Sequence, residues 1–294
     1  MRPMKILNYG SMNIDRFYSV AHTVRPGETI LAQGMTLYCG GKGLNQSIAI
    51  AKAGGEIYHA GVLGEDGDIL LDALTRHGVD TGCIKRVAGA SSHTVIQVDA
   101  QGQNCIIVCA GENVRVTEQD IDSVLSGFAA GDIIVLQNEL HNTPAIMRKA
   151  AERGMAVAFN PSPVNDALND YPLHCVRWFL MNELEGEAIT GETEPARILA
   201  VMASRYPKAG VVLTLGAEGA YCVWEGQTYY QPAFRVKAVD TTAAGDTFTG
   251  YLIVGIARGE ALPAVLARAA KASSITVSRK GAADSIPTWR EVEA

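Results

Sequence analysis

Short, nearly continuous apolar runs punctuate the chain at residues 5–9, 57–63, 133–136, 156–159, 178–181 and 211–215. Runs of this length without polar alternation predict strands covered on both faces, as in a mostly parallel sheet. Between them, residues 44–53, 67–77, 118–126 and 145–153 carry helical apolar spacing. Thr117 suits an N-cap, and Gly78 and Gly154 suit helix stops. The alternation predicts an α/β fold, a doubly wound, mostly parallel sheet flanked by helices.

Two regions break the rhythm. Residues 17–39 and 92–109 hold strand-like pieces at 29–31, 94–96 and 106–108 with no helix between neighbours. Residues 100–103, with Gly102, suit a hairpin turn. These regions predict one small β-sheet built from two separated segments, 13–39 and 92–110, acting as a lid on the carboxyl edge of the main sheet. No repeat or low-complexity linker appears, so residues 1–294 are expected to form a single α/β domain with the lid inserted. The last third is expected to be helical, chiefly at 244–257 and 263–276.

Composition narrows the class. A hydrophobic fraction of 48% with 19% charged residues describes an ordinary soluble protein. No apolar run approaches the roughly 20 residues of a membrane helix; the stretch from Tyr251 is interrupted by Arg258. The net charge of -6 argues against a nucleic-acid partner. Six cysteines without a C-x-x-C pair read as reduced thiols, neither a zinc site nor a disulfide frame. Residues 1–8 lack the apolar core of a secretory signal. The expected compartment is the cytoplasm.

Candidate chemistry concentrates in three strings. The first, Asp240-Thr241-Thr242-Ala243-Ala244-Gly245-Asp246-Thr247-Phe248, opens a helix after the strand-like residues 234–239. Small residues there let backbone N–H groups approach a phosphoryl group, and Asp246 falls in the first helical turn. The second, Cys39-Gly40-Gly41-Lys42-Gly43-Leu44-Asn45-Gln46-Ser47, is not a P-loop, because Gly43 stands where Ser or Thr would follow the lysine. It offers room and donors to a small polar ligand, or else only a glycine-rich turn before a capped helix. The third, Gly10-Ser11-Met12-Asn13-Ile14-Asp15, puts Asn13 and Asp15 on one side of an extended chain. A short carboxylate there suits a sugar diol.

Together, in this order and spacing, the three strings resemble the ribokinase family of carbohydrate and nucleoside kinases over essentially the whole chain. Gln137-Asn138-Glu139, Asn160-Pro161, Asn182-Glu183-Leu184-Glu185 and Thr214-Leu215-Gly216-Ala217-Glu218-Gly219 fit the same pattern. The resemblance implies an ATP-dependent sugar kinase, with D-ribose the leading acceptor at its terminal hydroxyl. It implies that Asn13, Ile14, Asp15, Gly41, Lys42, Gly43, Asn45 and Glu139 surround the sugar and that Asp246 is the catalytic base. Ala243, Ala244 and Gly245 would hold the transferring phosphoryl group. ATP would lie against Asn182, Thr214, Leu215, Gly216, Ala217, Glu218, Gly219 and Gly245, with Mg²⁺ reached indirectly by Glu185. A potassium ion would sit among Asp240, Thr242, Thr276, Arg279, Gly281 and Ser285.

Alternatives stay open at this stage. Asn182 and Glu185 could cap a helix, Gly216 and Gly219 could serve a hairpin, and Asp240 could pair with Arg279 or Lys280. The acceptor could be fructose, a keto-deoxy sugar acid or a nucleoside, and a non-catalytic sugar sensor would keep the fold. Two positions depart from the family pattern: Tyr251 where a small residue is preferred, and Ala270 where a polar residue near adenine is common. Uncovered lid edges offer a surface for a homodimer. A buried carboxylate deprived of its diol is costly, so strong rejection of deoxy sugars is expected.

Overall fold

The computed structural model describes residues 4–294; residues 1–3, part of the reading of the amino terminus, lie outside the described residues. The first half contains strands β1 (Ile6–Tyr9), β2 (Asn13–Ser19), β3 (Gly34–Gly40), β4 (Ile57–Leu63), β5 (Asp80–Arg86), β6 (His93–Val98) and β7 (Asn104–Cys109). Its helices are α1 (Lys42–Lys52), α2 (Asp68–Arg76) and α3 (Glu118–Leu125). Next come β8 (Ile133–Gln137), α4 (Thr143–Glu152), β9 (Ala156–Asn160), β10 (Val176–Asn182), α5 (Glu183–Thr190) and α6 (Pro195–Arg205). The chain continues with β11 (Gly210–Thr214), β12 (Gly219–Trp224), β13 (Gln227–Pro232), α7 (Ala244–Ala257), α8 (Leu262–Val277) and α9 (Trp289–Glu293).

Nine strands form the main sheet in the order β13-β12-β11-β10-β9-β8-β1-β4-β5. All neighbours run parallel except the antiparallel β11-β12-β13 edge. Side chains alternate between the two faces, as the pleat requires. In β8, Ile133 and Val135 join the core under α1, α2, α7 and α8. Ile134 and Leu136 join the opposite core under α3, α4 and α6. Covering both faces explains why these strands carry unbroken apolar runs. Thr117 caps α3 in a capping box with Asp120, while Gly78 and Gly154 take left-handed φ of 80° and 75°. The strand order reverses between β1 and β8, and such a switch point opens a crevice at the carboxyl ends of the strands.

The small second sheet has the order β3-β2-β6-β7, from the two segments read in the sequence. The turn after β6 closes through Gly102 N–H to the Asp99 carbonyl. Two expectations fail. Residues 29–31 are not a strand; the strand in that segment is β3, whose residues 34–38 are all exposed and so give no burial pattern to read. Residues 234–239 form a loop instead of a strand, following the hairpin of β12 and β13. Both strands of that hairpin went unread, as did β5; polar residues interrupt the apolar pattern in β5 and β13, though not in β12.

Candidate active site

Some functional segments leave the carboxyl ends of central strands, as after β1 and after β8, while others enter α1 from β3 and α7 from the loop after β13. The loop after β1 meets the loop after β8 across the switch point, where the Ser11 hydroxyl donates to Glu139 Oε2. The Lys42 N–H donates to the same oxygen at 3.1 Å, which ties the start of α1 to both loops. Burial pushes the Glu139 carboxyl above its ordinary range; the Asp246 charge adds to this, and Ser11 and Lys42 oppose it. Gly41 adopts φ of 95°, and a Cβ there would lie 2.9 Å from the Ser11 carbonyl oxygen. Only glycine lets the chain enter α1 this close to the β1 loop.

Asp246 stands in the first turn of α7, 7% exposed. Its Oδ2 accepts from Asn45 Nδ2 at 3.2 Å and its Oδ1 from Gln46 Nε2 at 2.9 Å. Gln46 in turn accepts from Gln137 Nε2 at 2.7 Å, which also donates to Asn8. Two buried amides thus orient the carboxylate from behind. Ala243, the N-cap of α7, has φ of 60°, a left-handed conformation that costs a non-glycine residue about 1–3 kcal/mol. The Ala244 N–H turns back to the Thr241 carbonyl at 3.3 Å, so of the three expected phosphoryl donors it is engaged locally. Those of Ala243 and Gly245 have no hydrogen-bond partner among the described residues.

Two adjoining cavities lead to Asp246. The inner one, about 220 Å³, is lined by Lys42, Asn182, Glu185, Ala243, Gly245 and Asp246 among others. The outer one, about 640 Å³, is walled by Phe234, Val236, Ala238, Ala270 and Val277 and edged by Ser273 and Ser274. Thr214, Thr241, Ala244, Gly245 and Phe248 line both, so the two form one path. Its shape suits a purine in the apolar outer chamber and a phosphate chain in the inner one. Thr214, Gly216, Ala217 and Gly219 border the outer chamber. Leu215 and Glu218 do not: Leu215 packs into the core, and the Glu218 carbonyl accepts the Tyr230 hydroxyl. Ala270 offers the base no polar group.

On the lid side, Asn13 and Asp15 lie on the same side of β2. Asn13 accepts from Asn113 Nδ2 at 3.2 Å, and Thr94 Oγ1 donates to Asp15 Oδ1 at 2.6 Å. Burial raises the Asp15 carboxyl, and the Thr94 bond opposes it. Ile14 points the other way, into the core, so only its backbone could serve a ligand. Gly43 packs against Gly10 and Ser11, and its carbonyl accepts from Asn8 Nδ2. Its role is close packing.

Asn182 and Glu185 form a capping box on α5, and Glu185 also accepts from Asn160 Nδ2. The capping alternative is therefore present, with both side chains still bordering the inner cavity. Asp240 accepts from the N–H and hydroxyl of Thr242 and from the Gly281 N–H at 3.0 Å. Burial pushes its carboxyl up, but these hydrogen bonds outweigh burial and hold it below its ordinary value. Arg279 pairs with Glu291, not Asp240. Thr276 Oγ1 meets Thr247 Oγ1, and Ser285 Oγ donates to the Ala282 carbonyl. Tyr251, at the departing position, donates to the Pro287 carbonyl at 2.9 Å and stacks on Trp289, tying α7 to the end of the chain.

A model of the pfkB family carbohydrate kinases matches residues 4–289. The chain belongs to that family. It is 32% identical over 291 residues to a ribokinase of Haemophilus influenzae, covering 96% of this chain and 95% of that one. It is 30% identical to a deoxyribokinase of Salmonella typhimurium, over 97% of this chain and 96% of the relative. The structure of Arabidopsis thaliana ribokinase complexed with ribose and ATP superimposes with a TM-score of 0.87 at 28% identity, covering 100% of this chain and 98% of that one. The ribokinase-like fold and an ATP-utilising carbohydrate kinase activity, both expected from the sequence, therefore stand. Among the described residues no helix is long and apolar enough to cross a membrane.

Sequence reading missed several residues at the site of this pfkB kinase. Ser11, Gln46 and Gln137 sat inside recognised strings but were assigned no role. Thr94 and Asn113 reach the site only through the pairing of β2 with β6 and the turn after β7, which no local pattern reveals. The wall at 234–238 was read as a strand.

Proposed function

We propose that this kinase transfers the γ-phosphoryl group of ATP to the primary hydroxyl of D-ribose, with Asp246 as the base. The observation that carries the reading is the position of Asp246. It closes the inner end of the nucleotide path and is gripped by α1, which also presents Lys42 to the same cavity. A carboxylate so placed accepts the hydroxyl proton as the new O–P bond forms and the bond to the departing ADP breaks. Gly245 and Ala243 offer N–H groups to the charge that develops on the phosphoryl oxygens. Asn13, Asp15, Gly41, Lys42, Asn45 and Glu139 hold the sugar. The lid excludes water, the competing acceptor.

Magnesium, when bound with the ATP phosphates, would supply charge neutralisation for the transfer. Glu185 takes hydrogen bonds on both oxygens, which suits a contact through water better than direct ligation. Asp240 with the carbonyl oxygens of Thr276, Arg279 and Gly281 and the Ser285 hydroxyl would make an all-oxygen set with one carboxylate, which would suit a large monovalent ion such as potassium and would order the loop before α7. The exposed β7 edge, with Ile106, Ile107 and Val108, suits lid pairing in a homodimer, and a monomer mass in sedimentation would exclude it. A cytoplasmic location accords with this metabolite chemistry.

ATP consumption with D-ribose, 2-deoxy-D-ribose, fructose, a keto-deoxy sugar acid and nucleosides tests the reading, each in matched potassium and sodium buffers. D-ribose should give the highest kcat/KM, with faster turnover in potassium. A preference for fructose or a nucleoside would displace ribose. A flat cation response shared by Asp240→Asn would remove the potassium site alone.

A further inference from the structure

Asn8, Gln46 and Gln137 form a chain of three primary amides that water does not reach, exposed by 0%, 0% and 1%. Asn8, on β1, donates through Nδ2 to the Gly43 carbonyl at 2.8 Å. Its Oδ1 accepts at 3.0 Å from Nε2 of Gln137, the last residue of β8. The same nitrogen donates to Gln46 Oε1 on α1 at 2.7 Å, and Gln46 Nε2 donates to Asp246 Oδ1 at 2.9 Å. Both ends of this chain only accept: a backbone carbonyl at one, a carboxylate at the other. Each hydrogen bond needs one donor, so between two accepting ends one group must donate twice. That group is the Gln137 nitrogen, and a primary amide carries the two hydrogens required. Gln137 Oε1 meets no donor among the described residues and lies over Gly10, where a Cβ would come within 2.4 Å of it. A buried oxygen without a partner costs free energy, so what Gln137 contributes here is its nitrogen.

We infer that Gln137 is a positioning residue for the base, because it fixes which end of the Gln46 amide faces Asp246. The inference rests on Asp246 being the base and adds a residue that lines neither cavity of the nucleotide path. The two ends of a glutamine amide are nearly alike in size, so the hydrogen-bond network decides between them. Turned end for end, Gln46 would set its oxygen against a carboxylate oxygen of Asp246. Gln137 prevents this, since its nitrogen requires an acceptor from Gln46. Without that constraint the carboxylate would keep only Asn45, whose bond to Oδ2 is the longer one at 3.2 Å.

The test is steady-state kinetics with MgATP and D-ribose, or whichever sugar the wild type turns over fastest, each substrate varied in turn. The enzymes are the full-length wild type, Gln137→Met, Gln46→Met, the double variant and Asp246→Asn. Methionine keeps the length of the side chain and removes both donors. Gln137→Met should lose about ten- to hundredfold in kcat, the scale of one hydrogen bond to a charged group. Both KM values should stay within about threefold of wild type. Because Gln137 acts through Gln46, the double variant should be no slower than Gln46→Met alone. Losses that multiply are what independent damage to the fold would give, and they would overturn the inference. So would a Gln137→Met at wild-type kcat, or one whose loss falls on KM. Should Gln137→Met not fold, Gln137→Glu takes its place, with the same shape and at most one donor; a wild-type kcat there would overturn the inference. An Asp246→Asn at wild-type kcat would remove the base and this inference with it. That outcome is distinct from an impaired Asp246→Asn beside an unimpaired Gln137→Met.

Discussion

A carboxylate withdrawn from water needs donors in its place, and Asp246 takes its two from neighbouring amides on α1, Asn45 and Gln46. The shared helix ties the orientation of Asp246 to the placement of Lys42 at the same cavity. Glycines serve the same end by leaving room. At Gly40 an added Cβ would displace the flexible Asp15 carboxylate and leave the backbone in place. Gly40→Ala should therefore fold normally and raise KM for the sugar about tenfold, the equivalent of about 1.4 kcal/mol. KM for ATP should stay near wild type. Steady-state kinetics with each substrate varied checks this, and an equal rise in both KM values would refute it. Asp246 and Lys42 were legible because their strings are unusual and local. Thr94 and Asn113 were not, because their contacts cross between strands and loops far apart in sequence.

Among the elements, α1 and β4 enclose a polar seam inside an apolar core. His59 on β4 is fully buried, and its Nδ1 meets the Ser47 hydroxyl at 2.7 Å. Burial depresses its imidazole to about 3. In the unfolded chain an ordinary histidine binds a proton below about 6.5. The native state resists protonation until near the depressed value, so this contribution is complete above the ordinary pKa. It is lost as pH falls from about 6.5 toward about 3, with a slope of up to ~1.4 kcal/mol per pH unit. Urea unfolding at stepped pH should show the wild type losing stability faster than His59→Gln across this window. Parallel curves would show that His59 does not carry the effect. The helices α7 and α8 were read nearly to their ends, because they are long and apolar. The hairpin of β12 and β13 was not, because β13 sets two adjacent tyrosines among polar residues and is largely exposed.

At the scale of the molecule, the parallel sheet was legible because helices cover both of its faces, which forces unbroken apolar strands. The small sheet was legible in outline only, since β3 is exposed and its residues are not constrained by burial. The nucleotide path could not be read at all as a space: its outer wall comes from the 234–238 loop facing α8, a tertiary event with no local signature. What the whole arrangement does is bring that path, α1 and the loop after β8 together at one carboxylate. The most direct test is product formation from MgATP and D-ribose by wild type and Asp246→Asn, followed by phosphorus NMR, with ribose binding measured separately by calorimetry. The account predicts ADP and a primary phosphate ester from the wild type. It predicts a loss of about 10²–10⁴-fold in kcat for Asp246→Asn at nearly unchanged ribose affinity. An Asp246→Asn enzyme retaining more than about a tenth of the wild-type kcat, far short of a general-base loss, would contradict it.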